Sequence, residues 1–214
     1  MADGTLDSVD RLREVYRAPS QTSLDKEIDH LDSHCRDFIA HAPIAVLASA
    51  GADGQVDASP KGGPSGFVAV LDDKHLALPD MTGNNRLDTM QNVVNGGCVA
   101  LLFMIPGVDE TLRVNGKATV SVDRAVLDAC PVNGMPANVA IVVEVQTAFI
   151  RCAKALRRSG IWQPERWPDV SELPSPACML KDHIGLDVST EDTQRRLDAS
   201  YAATTWTMAG PPRE

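Results

Sequence analysis

Apolar positions follow a helical period up to about residue 41 and a strand-like period after it. Within the polar stretch 1–23, Val9 to Tyr16 makes a short helical patch that Pro19-Ser20 breaks. Ser23 is placed to cap a longer helix from Leu24, in which Ile28, Leu31, Cys35, Phe38 and Ile39 form one apolar stripe. From Ala42 the pattern changes. Ile44 to Ala50 is a short apolar run, Gly51-Ala52-Asp53-Gly54 is turn chemistry and Gln55 to Ser59 alternates, which predicts a hairpin. Pro60 to Gly66 reads as a loop whose glycines let the backbone approach a ligand, followed by strands at Phe67 to Leu71 and His75 to Leu78. Pro79 and Gly83 punctuate a second loop, and Leu87, Met90, Val93 and Val94 then recur at helical spacing, so a helix is predicted from about Asn85 to Asn95-Gly96-Gly97.

The second half of the pattern is plainer. Cys98 to Ile105 predicts a strand buried on both faces or nearly so, and Thr111 to Val120 alternates around a mid-strand Gly116 of the kind found at bulges. A short capped helix follows at Asp123 to Cys130, and Val139 to Ile150 is the longest strand candidate. Six or seven strands with closely spaced turns and one central helix predict a mainly β fold, an antiparallel split barrel with peripheral helices, rather than βαβ units. The expected organisation is an N-terminal helical segment (1–41), a barrel domain (42–160) and a C-terminal segment (161–214) that wraps the same domain. Within the last, Pro164, Pro168, Pro174 and Pro176 predict irregular chain over 163–177, and a final helix is expected from Glu191 to Ala203.

Composition narrows the function classes. With 43% hydrophobic and 23% charged residues the chain reads as a globular protein, and a formal net charge of −9 argues against broad binding to nucleic acid or anionic membranes. No apolar run approaches the roughly 20 residues of a membrane span, nor does one follow Met1, so a cytoplasmic location is expected. Cys35, Cys98, Cys130, Cys152 and Cys178 contain no CxxC pair, and their odd number suits reduced thiols.

Any anion must therefore be held locally, and the helix start near Asn85 is the first candidate. Backbone N–H groups at a helix N-terminus, with Asn84, Asn85 and Arg86 as side-chain donors, suit a phosphate; the competing reading is a capped surface helix with a solvated arginine. Arg151, Lys154, Arg157 and Arg158 form a basic cluster with two readings, a solvated helix face or a second anchor for an anionic ligand. His30 and His34 stand four apart but lack a third ligand pattern, so no metal is expected. Nucleophilic triads and paired catalytic carboxylates are not in evidence, which suits chemistry carried by a cofactor.

Three segments in order resemble the pyridoxamine 5'-phosphate oxidase-like family of FMN-binding split β-barrels. They are Ser59-Pro60-Lys61-Gly62-Gly63-Pro64 with Gly66-Phe67, then Asp80-Met81-Thr82-Gly83-Asn84-Asn85-Arg86-Leu87-Asp88-Thr89-Met90-Gln91-Asn92, then Leu112-Arg113-Val114-Asn115-Gly116-Lys117-Ala118. The resemblance implies a homodimer with FMN between the subunits, and an oxidoreductase acting on a small substrate with a nicotinamide donor. By the same resemblance Asn84, Asn85 and Arg86 match the phosphate site, Ser59, Lys61 and Gly62 the strand end beside the flavin ring, and Arg113 a position near the phosphate or ribityl chain. A lysine beside the flavin would favour its reduced anion, and Lys61 is the candidate; its other reading is a solvated loop lysine. The arginine and histidine pattern that holds substrate phosphate in true pyridoxamine phosphate oxidases is not seen. Relatives binding deazaflavin F420 or haem are alternatives, with His30, His34, His41, His75 and His183 as the possible axial ligands, as is a flavin-binding protein without turnover. Trp162 and Trp167 either cover the flavin or fasten the dimer.

Overall fold

A computed structural model describes residues 4–81, 83, 85–130 and 137–204. Its strands are β1 (Ile44–Ala50), β2 (Val56–Gly62), β3 (Ala69–Val70), β4 (His75–Asp80), β5 (Cys98–Met104), β6 (Thr111–Ser121) and β7 (Val139–Arg151). Among the described residues these form one sheet in the order β2-β1-β5-β6-β7-β4-β3, with every pair antiparallel. Both β2 and β3 are edges, so the barrel is open along one side. This is a split barrel.

Local chemistry explains most of the strands. Gly54, at φ 83°, turns β1 into β2, with the Gly51 N–H donating to the Gln55 carbonyl at 2.8 Å. At the predicted bulge the register of β6 on β7 shifts between Asn115 and Gly116, and a Cβ at residue 116 would collide with the Glu144 carbonyl oxygen. The β6 and β7 strands are the longest in the sheet because both alternate cleanly, Val114, Val143 and Ala148 being fully buried. Strand β5 alternates too. Val99, Leu101 and Phe103 are buried whereas Ala100, Leu102 and Met104 are half-exposed, which corrects the expectation of burial on both faces.

The helices are α1 (Val9–Val15), α2 (Gln21–Asp25), α3 (Ser33–His41), α4 (Asp88–Val94), α5 (Arg124–Ala129), α6 (Lys154–Ser159), α7 (Pro176–Ile184) and α8 (Thr190–Thr204). The long helix predicted from Leu24 to Ile39 is two helices. Ser20 rather than Ser23 caps α2, and Asp32 caps α3 by accepting the Cys35 N–H at 2.8 Å. Between them Ile28 exchanges backbone hydrogen bonds with Ala148 at 3.0 and 2.7 Å, so the intervening chain runs as a strand-like bridge onto β7. Leu31 and Ile39 still reach the core, packing with Leu47, Leu76, Leu101, Phe103 and Ile141 inside the barrel. Outside it, Val126 and Leu127 of α5 cover a small cluster of Ala77, Cys130 and Ala140.

The tail is more regular than its prolines suggest. A 3-10 turn, Pro164–Arg166, precedes α7, which has Ser175 as N-cap, Pro176 in its first turn and Gly185 at φ 64° as C-cap. Helix α7 packs on α8 with Ala177 and Thr193 buried.

Candidate functional site

Strand β2 carries a polar row. Asp57, Ser59 and Lys61 lie at alternate positions, hence on one face, and all three are half-buried while Val56, Ala58, Pro60 and Gly62 are exposed. Strand β2 runs through Gly62, which corrects the loop predicted from Pro60; Pro60 is tolerated because an edge strand has one side without ladder partners.

Helix α4 faces this row but starts later than predicted. It begins at Asp88, after Leu87 at φ 61° and Asn85 at φ 58°, and no side chain caps it. The left-handed turn suits Asn85; for Leu87 it costs on the order of 1 kcal/mol. Tertiary bonds hold the element instead. Thr89 Oγ1 donates to Asp57 Oδ2 at 2.5 Å, tying α4 to β2, and Asn92 Nδ2 donates to Ser49 Oγ at 3.0 Å, tying it to β1. The expected cap residue Asn84 lies outside the described residues.

Between β2, the end of β4, the start of β7 and α4 is a cleft of about 530 Å³, which brings Ser59, Lys61, Asn85 and Arg86 together. Its cations are already matched. Lys61 Nζ lies 3.6 Å from Asp80 Oδ1, and both side chains are about three-quarters buried, at 26% and 23% exposed. Four strands separate β2 from β4 in the sheet order, so this ion pair spans the open side of the barrel. Arg86 Nε donates to Asp88 Oδ2 at 2.8 Å, and that hydrogen bond raises the guanidinium pKa further. Ser59 differs. Its Oγ is buried and has no hydrogen-bond partner among the described residues.

Sequence comparison places this arrangement. Residues 31–152, which carry the whole sheet and the cleft, match pyridoxamine 5'-phosphate oxidase. The chain belongs to that family. No curated protein matches it. Solved structures that resemble it include HupZ of Group A Streptococcus (19% identity, TM-score 0.45, covering 56% of this chain and 92% of that one). A Clostridium acetobutylicum protein related to general stress protein 26 of B. subtilis, of the pyridoxinephosphate oxidase family, matches at 14% identity and TM-score 0.42, covering 55% and 85%. The FAD binding protein of Mycobacterium smegmatis matches at 14% identity and TM-score 0.40, covering 57% and 95%.

The other residues singled out in this family member lie apart from the cleft lining or at its rim. Gly62 is exposed beside Lys61, opposite Ile44. Arg113 is on β6, with its guanidinium 5.8 Å from the centre of the Phe149 ring. Phe149 is ten residues along β7 from Val139 at the cleft, about 30 Å at the rise of a strand. In the basic cluster Arg157 pairs with Asp109 at 2.8 Å, and Trp162 Nε1 donates to the Val108 carbonyl at 2.9 Å, fastening it to the β5–β6 turn. None of the five histidines lines the cleft, and among the described residues no group of three or more His, Cys, Asp or Glu could hold a metal ion. The carboxylates of Asp57 and Asp80, which organise the cleft, were missed. The alternation of Asp57 with Ser59 and Lys61 was the signal available for the first.

Proposed function

We propose that the protein is an FMN-binding oxidoreductase that passes a hydride or electrons from a nicotinamide donor to a small conjugated or aromatic acceptor. The observation that carries this reading is the unpartnered Ser59 hydroxyl, buried in a row of otherwise engaged polar groups in a family member's cleft. A buried hydroxyl without a partner is costly, and a ligand group supplies the missing bond. The cleft volume falls in the range of small-molecule sites. The described donors fit the cofactor: Arg86, whose five N–H groups serve more than one partner, with Asn85 for the phosphate, and Ser59 and Lys61 for the polar edge of the ring; Asn84, outside the described residues, is proposed as a further phosphate donor from the sequence alone. Bound flavin supplies the redox chemistry; the chain orients it, and Lys61 offers positive charge where reduction builds negative charge.

A homodimer with the cofactor between subunits belongs to the same proposal. The half-exposed outer row of Ile44, Val46, Leu102 and Met104, adjacent across β1 and β5, supports a second copy packing there. The cytoplasmic location rests on five free thiols and on the lack, among the described residues, of a helix long and apolar enough to cross a membrane. No histidine lines the cleft, so a haem there would lack a histidine axial ligand.

The test is a visible absorption spectrum of the purified protein before and after heat release of its ligand. The expected result is the two-banded spectrum of an oxidised flavin, with FMN in the released fraction. A deazaflavin spectrum would place F420 in the cleft, and no uptake of added FMN would remove the reading. Flavin bound without oxidation of NAD(P)H across a substrate panel would leave a binding protein without turnover.

A further inference from the structure

The break between α2 and α3 has a positional effect. The bridge of Ile28 onto Ala148 brings Lys26 alongside Ile150, whose carbonyl accepts a hydrogen bond from Lys26 Nζ at 3.0 Å. In the β6–β7 register Arg113 faces Phe149 and Thr111 faces Arg151, so Arg113, Phe149 and Arg151 share the outer face, opposite the buried Leu112, Val114 and Ala148. Three cations thus converge on one ring: Lys26 Nζ at 5.6 Å, Arg113 at 5.8 Å and Arg151 at 5.9 Å from the Phe149 centroid. No two of them are more than about 12 Å apart.

Such crowding needs a cause. The aromatic face attracts each cation weakly at an exposed site, and their mutual repulsion at this range is only partly screened by salt. Yet in a chain with nine more negative than positive charges, none of the three makes an ion pair with a carboxylate among the described residues. The field of the cluster is felt next door. The exposed Cys152 thiol is shifted down in pKa, first by the Lys154 N–H and then by the charges of Lys154, Arg151 and Lys26.

We propose that Lys26, Arg113 and Arg151, gathered round Phe149, form a binding site for a small multivalent anion of the phosphate class. Two guanidinium forks and an ammonium match the several oxygens of a phosphoryl group, and Phe149 with the Ile150 carbonyl holds the cations in place without neutralising them. The phosphoryl group comes either from free phosphate or from a larger phosphorylated ligand.

The test titrates inorganic phosphate into the full chain at constant ionic strength, with chloride as the control, and follows the thermal midpoint and the phosphorus NMR linewidth. The site predicts a saturable rise in midpoint and line broadening. Affinity falls about tenfold or more in Arg151→Ala and in Lys26→Ala, is partly restored in Arg151→Lys, and is unchanged in Lys74→Ala, which removes a lysine paired elsewhere with Asp29. Displacement of the phosphate by FMN but not by riboflavin would identify the source as a flavin nucleotide, and displacement by neither a different phosphoryl ligand; both support the site. No saturable response in the wild-type chain, or an equal one in Arg151→Ala and Lys26→Ala, would overturn it. The phosphate arm uses no flavin, so its outcome is independent of the cofactor reading.

Discussion

Two places where this acidic chain gathers positive charge, the cleft and the Phe149 face, are built in opposite ways. In the cleft each cation has a carboxylate against it, Lys61 with Asp80 and Arg86 with Asp88. At Phe149 three cations share a ring and a carbonyl but no carboxylate. A paired cation is fixed in position, and its partner limits the net attraction for an anion; an unpaired one attracts more strongly but is held less firmly. The cleft is therefore built for orienting a ligand and the Phe149 face for capturing charge. The difference is open to test by removing one charge at a time.

The largest effect is expected at Arg86. If the cleft holds the FMN phosphate, Arg86→Ala weakens FMN binding at least about tenfold, the usual consequence of losing a charge-assisted hydrogen bond. Fluorescence titration of the variant checks it. An unchanged affinity would shift the phosphate away from the cleft and blur the contrast between the two regions.

Next in size is the ion pair across the split. Because Lys61 and Asp80 are each about three-quarters buried, removing either strands the other, whereas removing Arg151 strands nothing. A double-mutant cycle of Lys61→Met and Asp80→Asn, read by urea unfolding without any ligand, is expected to give a coupling of about 1 kcal/mol. The Arg151→Ala variant in the same assay should be neutral or stabilised by about a few tenths of a kcal/mol, since it relieves repulsion. Additivity at Lys61 and Asp80 would mean that the ion pair across the split contributes no coupling to stability, while α4 stays tied to β2 and β1 through Asp57 and Ser49.

Neither region was fully legible in the sequence, and the reason is distance along the chain. What rests on local pattern came through: the alternation of β6 and β7, the bulge at Gly116 and the Asp123 cap of α5. Helix α7 also had its local signals, Ser175-Pro176 and Gly185, but the run of prolines before it suggested irregular chain. The break at Lys26 to Asp32 did not come through, because the stripe Ile28, Leu31, Cys35 satisfies a helical period just as well. Only the backbone bonds to Ala148, far away in sequence, decide against it. The paired asparagines suggested a cap, yet positive φ at Asn85 and Leu87 delays the helix to Asp88. The family resemblance put Arg113 near the cofactor, and in this chain it sits with Lys26 and Arg151 from two other segments, a meeting no spacing rule describes.

The smallest predicted effect reports on the Phe149 field directly. Cys152 has a lowered thiol pKa, chiefly from the Lys154 N–H and then from the nearby charges of Lys154, Arg151 and Lys26. The ionised form of a thiol is negative, so positive neighbours favour it and thiolate appears at a lower pH than for an ordinary thiol. Removing a neighbour must move the midpoint up. The pH profile of Cys152 alkylation should therefore shift to higher pH in Arg151→Ala and in Lys26→Ala, and remain in place in Lys61→Met, whose charge lies at the cleft and is paired. Saturating phosphate should shift the wild-type profile the same way, since a bound anion cancels the field that Cys152 senses. If Arg151→Ala leaves the profile unmoved, the cations near Phe149 are screened by solvent and the two regions differ in pairing but not in potential.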